Sequence, residues 1–362
     1  MSNWPQKIRE QFPPTQTTTY LNTASCGLTP VSVVNWRREH DLRLLNEGSL
    51  YRDLHKPHIA QIRETVASFL GAETMLTALV PNFSSGWNIV LDGIAAGSKV
   101  LYLKHDYPSI RWPLHERDFE LIEIDGGSEP EHVLEEAVLE HKPDVLALGL
   151  VHYVSGIRIN ADFLPRLKAY HPELLIMADG TQFIGTTAFD FENSGIDVLG
   201  GSAYKWLMGG YGCGYFVLSR EAEQRLHPPT LGYNSADLTQ GSREGIPLIG
   251  RLEPGHQDPL TLGSMQLSMQ WLSDIGMTRV EDYLQNLCGK AKQEFLSRGW
   301  VAPELMQRPS TSTIFNLNLD EGHFAKLKQA KVIASLRGHG IRVSFHVYNN
   351  ENDLDKLIDV LT

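Results

Sequence analysis

The chain has 362 residues, 42% of them apolar and 21% charged, so it can bury a substantial core, and its length favours two domains. A formal net charge of −11 argues against nucleic acid or an anionic membrane as its main partner. Cys26, Cys213 and Cys288 show neither metal-ligand nor disulfide spacing, which indicates a reducing compartment. Without an apolar signal core or a membrane-length apolar stretch, the expected location is the cytoplasm.

Two amphipathic helices are predicted near the N-terminus. The first begins at Thr29-Pro30, where a cap residue precedes a proline that fits the first helical position. The second spans Leu54–Leu70 and stops at Gly71, since glycine is the usual residue after a helix end.

Short β-rich runs then alternate with helical patterns such as Glu131–His141 and Ala161–His171. The runs Asp144–Val151 and Leu174–Ala178 are apolar without alternation, which is typical of strands buried on both faces. The arrangement predicts βαβ units and an α/β fold with a mainly parallel sheet flanked by helices. The predicted strands are Lys99–Leu103, Phe119–Ile124, Asp144–Val151, Leu174–Ala178, Val198–Leu199 and Gly214–Leu218.

The pattern changes after about Gly255 to a mixture of helices and half-buried strands. The mixture predicts a smaller α+β domain. We expect residues 1–20 to pack on this small domain, residues 21–255 to form the large domain and residues 256–362 to form the small one. The predicted elements are helices Ser264–Ile275, Thr278–Arg298 and Glu321–Leu336, strands Thr313–Leu319 and Ile341–Val347, and a last helix capped by Asn349 or Asn350.

An acid and a lysine stand out in the middle of the chain. Asp179 follows the predicted strand Leu174–Ala178, and Lys205 lies further on among mostly uncharged neighbours before a glycine-rich turn. A lone lysine is usually a solvated charge and a lone aspartate a turn former. An uncharged setting, however, favours the neutral, nucleophilic amine. Together with nearby hydroxyl groups, the pair matches the needs of pyridoxal 5′-phosphate (PLP): a Schiff-base lysine and an acid for the ring nitrogen.

Several ordered motifs resemble the class V aminotransferases, a family of fold type I PLP-dependent enzymes that includes cysteine desulfurases, kynureninases and isopenicillin N epimerase. The resemblance implies a large PLP-binding domain, a small C-terminal domain and a homodimer with shared active sites. The motifs are YLNTASCGLTP at Tyr20–Pro30, HDYPSIRWP at His105–Pro113, ADGTQ at Ala178–Gln182, GGSAYKWLMGGYGCGYF at Gly200–Phe216 and IRVSFHVYNNENDLDKL at Ile341–Leu357.

The resemblance assigns most of the cofactor contacts. Lys205 takes the Schiff-base role and, once free, acts as the general base for the Cα proton. Asp179 pairs with the ring nitrogen and Gln182 contacts the phenolic oxygen. Ser202 and Tyr204 correspond to phosphate ligands.

A second phosphate-binding turn is predicted in PNFSSGWNIV, Pro81–Val90. Phe83, Ser84 and Ser85 would present N–H and hydroxyl groups at the start of a helix, which is a ready anion site. An ordinary helix cap is the simpler interpretation of serines in this position, and the turn is assigned to phosphate because it accompanies the other motifs.

Two residues are predicted to bind substrate. Arg342 matches the family's arginine for the α-carboxylate, and a guanidinium fork suits a carboxylate through two hydrogen bonds. Its alternating strand would place Arg342, Ser344 and His346 on one face. Asn22, in the entry segment, is the other predicted substrate contact.

The sequence departs from the family pattern at two places. His256 stands where relatives often carry a threonine that reaches the partner subunit's phosphate. At the ring-stacking position, an alignment anchored on Gly156 gives Leu150 in place of histidine. His152, on the same strand face, and Tyr107 both remain candidates for that role.

The expected activity is that of a PLP-dependent aminotransferase acting on a small amino acid. A PLP-dependent lyase or epimerase is the alternative, and a non-catalytic PLP-binding or amino-acid-binding protein is a third possibility. Desulfuration by the usual route is not expected, because Glu321–Gly340 contains no cysteine. A nicotinamide dehydrogenase is discounted, because no G-x-G-x-x-G follows the first strands.

Overall fold

A computed structural model describes residues 4–235, 245–304, 308 and 311–362. No helix in these ranges is long and apolar enough to cross a membrane. The helices are α1 (Trp4–Glu10), α2 (Val31–Glu47), α3 (Ser49–Leu70), α4 (Phe83–Leu91), α5 (Pro108–His115), α6 (Pro130–His141), α7 (Phe163–Tyr170), α8 (Arg220–Arg225), α9 (Leu248–Leu252), α10 (Pro259–Ile275), α11 (Met277–Ser297), α12 (Glu321–Gln329) and α13 (Glu351–Leu361).

A seven-stranded sheet forms the centre of the molecule, in the strand order β2-β8-β7-β6-β5-β3-β4. Strands β3 to β7 run parallel to one another, whereas β8 pairs antiparallel with both β7 and β2. The predicted α/β fold with a mainly parallel sheet is therefore confirmed. The strands are β2 (Thr77–Val80), β3 (Lys99–Leu103), β4 (Glu120–Ile124), β5 (Val145–Gly149), β6 (Leu175–Asp179), β7 (Val198–Ser202) and β8 (Gly214–Leu218).

Helices cover both faces of this sheet, because successive side chains of its strands point in opposite directions. In β6, Ile176 and Ala178 join one core cluster, while Leu175 and Met177 join the other. The first cluster includes apolar residues of α3, α6, α7 and α10, and the second includes those of α4, α5 and α8. Burial on both faces explains why these strands are apolar without alternation.

A smaller antiparallel sheet in the order β11-β12-β9 lies in the C-terminal part. Its strands are β9 (Ile314–Leu317), β11 (Ser335–Arg337) and β12 (Gly340–Ser344), and its apolar side packs with α11, α12 and α13. Strand β1 (Thr19–Tyr20) pairs parallel with β10 (Val332–Ile333), which ties the N-terminal segment to this part of the chain. Helix α10 follows residue 255 but packs on α2 and α3, which precede it. These contacts do not mark a domain boundary at residue 255, so that boundary stays a prediction.

Several helix boundaries were predicted wrongly; helix α10, for example, begins at Pro259 and not at Ser264. Helix α2 begins at Val31 with Pro30 as its N-cap, so Thr29 is not the cap and Pro30 is not the first helical residue. Helix α3 begins at Ser49 and not at Leu54. The predicted helix Glu321–Leu336 ends at Gln329, because Lys331 adopts a left-handed conformation and the chain then enters β10 and β11. The last helix is capped by Asn350 through a capping box.

Candidate active site

The loops after β3, β5, β6 and β7 meet at the carboxyl edge of the large sheet, which is where open α/β sheets place their ligand sites. These loops and the start of α4 carry most of the side chains singled out in the sequence. The N-terminal segment and the end of β12 close the site from the other side, since Ser344 pairs with Asn22.

Lys205 is buried at the centre of this edge, with 5% of its surface exposed. Its Nζ atom lies 5.5 Å from the centre of the Tyr107 ring and 5.4 Å from that of the Tyr204 ring. Within the described residues, Nζ has no hydrogen bond or ion pair of its own. Burial lowers the pKa of Lys205 to about 8, although the charge of Asp179 acts in the opposite direction. The amine is therefore far closer to its nucleophilic form at neutral pH than an exposed lysine would be.

Asp179 ends β6 beside Gly200 of β7 and is almost fully buried. Burial raises the pKa of Asp179 to about 6, while a hydrogen bond from the Thr181 side chain and the charge of Lys205 act against that rise. One carboxylate oxygen accepts a hydrogen bond from Thr181 N at 2.8 Å. The carboxylate is thus held in place close to Lys205 without forming an ion pair with it.

Gln182 is fixed by two contacts that lock the orientation of its amide. Its Nε2 donates to Ala24 O at 3.0 Å, and its Oε1 accepts from Trp206 Nε1 at 2.8 Å. Because an amide nitrogen carries two hydrogens, one N–H remains for another acceptor.

The start of α4 lies next to the end of β7. Phe83 N donates to Ser202 Oγ at 2.9 Å, and Asn82 caps the helix by accepting from Ser85 N at 2.9 Å. Ser84 Oγ donates to Ser109 Oγ at 2.8 Å. Because the first N–H groups of a helix lack intrahelical partners, this cluster of hydroxyl and N–H groups can receive an anion.

Two tyrosine rings, those of Tyr107 and Tyr204, lie close to the lysine, and each contacts a further tyrosine. Tyr107 packs edge-on against Tyr153 with 5.2 Å between ring centres, and Tyr204 stacks on Tyr211 at 4.7 Å. Burial raises the pKa of Tyr204 well above its usual range, so its hydroxyl stays protonated and can donate a hydrogen bond.

The two candidates for the ring-stacking role have different surroundings. Tyr107 faces Lys205, whereas His152 has both ring nitrogens engaged, with Ser155 Oγ at 2.8 Å and with His105 O at 2.8 Å. His152 also lines a separate cavity of about 260 Å³ together with His105. The geometry favours Tyr107 as the aromatic group beside the amine.

Arg342 is buried on β12, with 3% of its surface exposed. Its Nη1 donates to Tyr153 O at 2.6 Å, and its Nε has no partner among the described residues. Burial lowers the pKa of Arg342 to about 10, and the charge of Arg337 lowers it further. Ser344 of the same strand accepts a hydrogen bond from Ala24 N through its Oγ at 3.0 Å. Oδ1 of Asn22, in the N-terminal segment that pairs with Ser344, is buried and has no partner in the described part of the chain. Polar groups with unused hydrogen-bonding capacity therefore gather here, as expected of a ligand site.

His256 lies beside the start of α4. Its ring stacks on Tyr233 with 4.7 Å between centres, and it lines a cavity of about 290 Å³ together with Ser85 and Gly86. A contact between His256 and a partner subunit's phosphate stays a prediction.

Sequence reasoning missed several residues that shape the site. Trp206, which orients Gln182, and Tyr153, whose carbonyl holds Arg342, gave no signal beyond apolar character. Asp106 could have been found by the signal that found Asp179, a carboxylate after a buried strand. Its two oxygens accept from Tyr107 N and Gly149 N, each at 2.6 Å, and thereby fix the loop that carries Tyr107.

Residues 20–357 match the family model described as Aminotransferase class-V. The uncharacterized aminotransferase YcbU of Bacillus subtilis (strain 168) is 25% identical over 99% of this chain and 98% of its own length. Isopenicillin N epimerase of Amycolatopsis lactamdurans is 25% identical over 98% of this chain and 96% of its own. A probable cysteine desulfurase of Pyrococcus abyssi (strain GE5 / Orsay) is 23% identical over 99% of this chain and 96% of its own.

Solved structures share the fold over the whole chain. The apo cysteine desulfurase from Thermococcus onnurineus NA1 aligns with a TM-score of 0.87 at 19% identity, covering 99% of this chain and 97% of that one. A C-DES mutant with glycine covalently linked to its PLP cofactor aligns with a TM-score of 0.81 at 18% identity, covering 98% of each chain.

Proposed function

Because the chain belongs to the class-V aminotransferase family, we propose that it is a PLP-dependent enzyme that acts on a small amino acid by amino transfer. Family membership confirms the resemblance read from the motifs, and both the family and the C-DES structure indicate PLP as the cofactor. One observation carries the proposal: Lys205 is a buried amine with a lowered pKa, and the carboxylate of Asp179 is buried close to it.

The residues present fit this cofactor. Lys205 Nζ has no hydrogen-bond acceptor among the described residues, which leaves it available for covalent attachment to an aldehyde. Ser84 and Ser85 at the start of α4, with Ser202 and Tyr204, offer hydroxyl and N–H groups for the phosphate. Gln182 has one N–H left for the phenolic oxygen.

When bound, PLP supplies an electron sink that stabilises negative charge at the substrate Cα. Asp179 would keep the ring nitrogen protonated through its negative charge. Tyr107, which lies over Lys205 Nζ, would help to exclude water from the cofactor. Arg342 holds the substrate α-carboxylate, which turns the Cα proton towards Lys205 Nζ. Lys205 removes that proton and can return it.

Amino transfer is preferred to the alternatives on the full-length similarity to YcbU, itself named an aminotransferase. Isopenicillin N epimerase is equally similar over almost the same length, which keeps epimerisation as the second candidate. A lyase reaction uses the same first proton transfer. Burial raises the pKa of both Cys213 and Cys288 well above the usual range, so these two thiols are poor nucleophiles, which weighs against desulfuration through either of them.

The products of the reaction distinguish these activities. The purified protein, reconstituted with PLP, should be yellow and should change its absorbance with one or more amino acids. Amino transfer gives a 2-oxo acid in proportion to the acceptor consumed, whereas epimerisation converts an L-amino acid to its D-form without an acceptor. A yellow protein that turns over no amino acid would support the non-catalytic binder. The cytoplasmic location and the homodimer stay predictions of the sequence.

A further inference from the structure

A second arginine faces the candidate site from the strand next to Arg342. Ser335 of β11 pairs directly with Arg342 of β12, so their side chains lie on the same face of the small sheet. Because side chains alternate along a strand, Arg337, two residues after Ser335, returns to that face. Arg337 and Arg342 are therefore diagonal neighbours across the two strands, with Cα atoms about 7–8 Å apart.

This face of the small sheet is directed at Lys205. Arg342 is hydrogen-bonded to Tyr153 O, and the Tyr153 ring packs on Tyr107, which contacts the lysine. Although burial is the main cause, the charges of Arg342 and Arg337 also lower the pKa of Lys205. The charge of Arg337 therefore reaches the surroundings of Lys205, as the charge of Arg342 does, although the Arg337 side chain is exposed.

Neither arginine is neutralised by a carboxylate of the described chain. No ion pair joins Arg337 or Arg342 to an acidic residue in the described ranges, and Arg342 Nε and Ser335 Oγ are buried without partners. Uncompensated positive charge is unexpected in a protein whose net charge is −11. A single carboxylate occupies one guanidinium fork, so the second arginine is left for another anion.

We propose that the substrate is an amino acid with an anionic side chain. Arg342 binds the α-carboxylate, and Arg337 binds the side-chain anion with Ser335 Oγ between the two guanidinium groups. The class comprises aspartate, glutamate and amino acids that carry a phosphate or another acidic group in the same place. This inference rests on the proposed function and adds a substrate class to it.

Matched pairs of amino acids test the inference on the PLP-reconstituted protein. Half-saturating concentrations are measured from the change in cofactor absorbance for aspartate and asparagine, glutamate and glutamine, and phosphoserine and serine. We expect at least one acid to bind ~10- to 100-fold more tightly than its neutral counterpart, because hydrogen bonds to a charged group contribute that much. The acid whose affinity most exceeds that of its neutral counterpart identifies the preferred side-chain anion. Equal binding within all three pairs would overturn the inference.

Variants then assign the preference to one residue. Arg337→Met should reduce the acid-to-neutral ratio to near one, and Arg337→Lys should retain part of it, because lysine keeps the charge without the fork. The control Arg52→Met removes an exposed arginine paired with Asp53 and should leave the ratio unchanged. An unchanged ratio in Arg337→Met would overturn the assignment.

A calorimetric titration of the protein separates this inference from the proposed function. Succinate carries two carboxylates and no amino group, so it should bind more tightly than butyrate, and Arg337→Met should abolish the difference. A protein that never becomes yellow with PLP contradicts the proposed function whatever succinate does. A yellow protein that responds to alanine, discriminates against all three acids and does not distinguish succinate from butyrate contradicts this inference alone.

Discussion

At the scale of single residues, Lys205 is held in a state that destabilises the cofactor-free protein. Burial lowers its pKa from 10.5 to about 8, so at neutral pH the folded protein must keep a charged amine where water is excluded. The residue that we propose as the attachment point is therefore one whose burial disfavours folding of the apoprotein.

Replacing Lys205 by methionine should stabilise the apoprotein at pH 7. The lowered pKa corresponds to a penalty of roughly 3 kcal/mol for the charged form. Because the folded-state pKa is the lower one, this penalty is complete below about pH 8 and disappears as the pH rises to the unfolded value of 10.5. Urea unfolding of Lys205→Met and the parent at pH 7 and pH 10.5 measures it.

The exposed Lys326 supplies the control, since Lys326→Met removes an equal charge from the surface. A gain in stability for Lys205→Met that is the same at both pH values would contradict the assigned cause.

Trp206 should act on the cofactor through Gln182. Trp206→Phe keeps an aromatic ring but removes the N–H that orients the Gln182 amide, so that amide can rotate and lose its remaining donor. One neutral hydrogen bond contributes about 0.5–1.5 kcal/mol, so we expect PLP to bind ~2- to 12-fold more weakly.

A double-mutant cycle with Gln182→Leu checks this route. If Trp206 works through Gln182, Trp206→Phe should have little further effect on PLP affinity in the Gln182→Leu background. Additive losses would show that Trp206 has a purely structural role.

Sequence alone singled out candidate residues whose chemistry is distinctive, and it did not single out residues that act through their position. Lys205 and Asp179 stand out because a lysine in an apolar segment and an acid after a buried strand are unusual. Trp206 and Tyr153 contribute a single N–H and a single carbonyl, and no pattern of residue types encodes either contact. Arg337 was missed because its relation to Arg342 depends on the register of the β11–β12 hairpin.

At the scale of elements, the N-terminal segment packs against the loop that follows β7 and carries Tyr204 and Lys205, here called the lysine loop. Gly27 N donates to Tyr204 O at 2.8 Å, and a Cβ atom at Gly27 would collide with the carbonyl oxygen of Lys205. Only glycine permits two backbone segments to approach so closely. The segment thus helps to set the position of the lysine main chain.

Gly27→Ala should therefore displace the lysine loop and weaken PLP binding more than it weakens the fold. Gly289→Ala, in α11, is the matched control, because a Cβ atom there meets nothing within 4 Å. Absorbance titration with PLP, combined with the melting temperature of the apoprotein, separates the two effects. Equal PLP affinity in both variants would contradict the role given to this approach.

Some strands and helix ends could not be predicted from the pattern of apolar and polar residues. The strands of the large sheet were predicted closely, because burial on both faces gives continuous apolar runs. Strand β2 was missed, since its four residues Thr77–Val80 are too few for a clear pattern. The helix predicted to reach Leu336 stops at Gln329, because pairing of β10 with β1 and of β11 with β12 overrides the helical pattern.

At the scale of the whole molecule, the site depends on three segments that are remote in sequence. Gln182 bonds to Ala24 of the N-terminal segment, and His346 Nε2 lies 2.8 Å from Trp206 O in the lysine loop. Burial lowers the pKa of His346 to about 3, so this histidine stays neutral and donates to that carbonyl. Such long-range contacts follow from the packing of the small sheet against the large one, which local sequence patterns do not specify.

Reduction of the cofactor onto the protein tests the central claim most directly. PLP is added to the apoprotein, the link is reduced with borohydride, and the labelled peptide is identified by mass spectrometry. The account predicts one label per chain, at Lys205, with none in Lys205→Ala. A label at another lysine, or a protein that PLP does not colour at all, would contradict it.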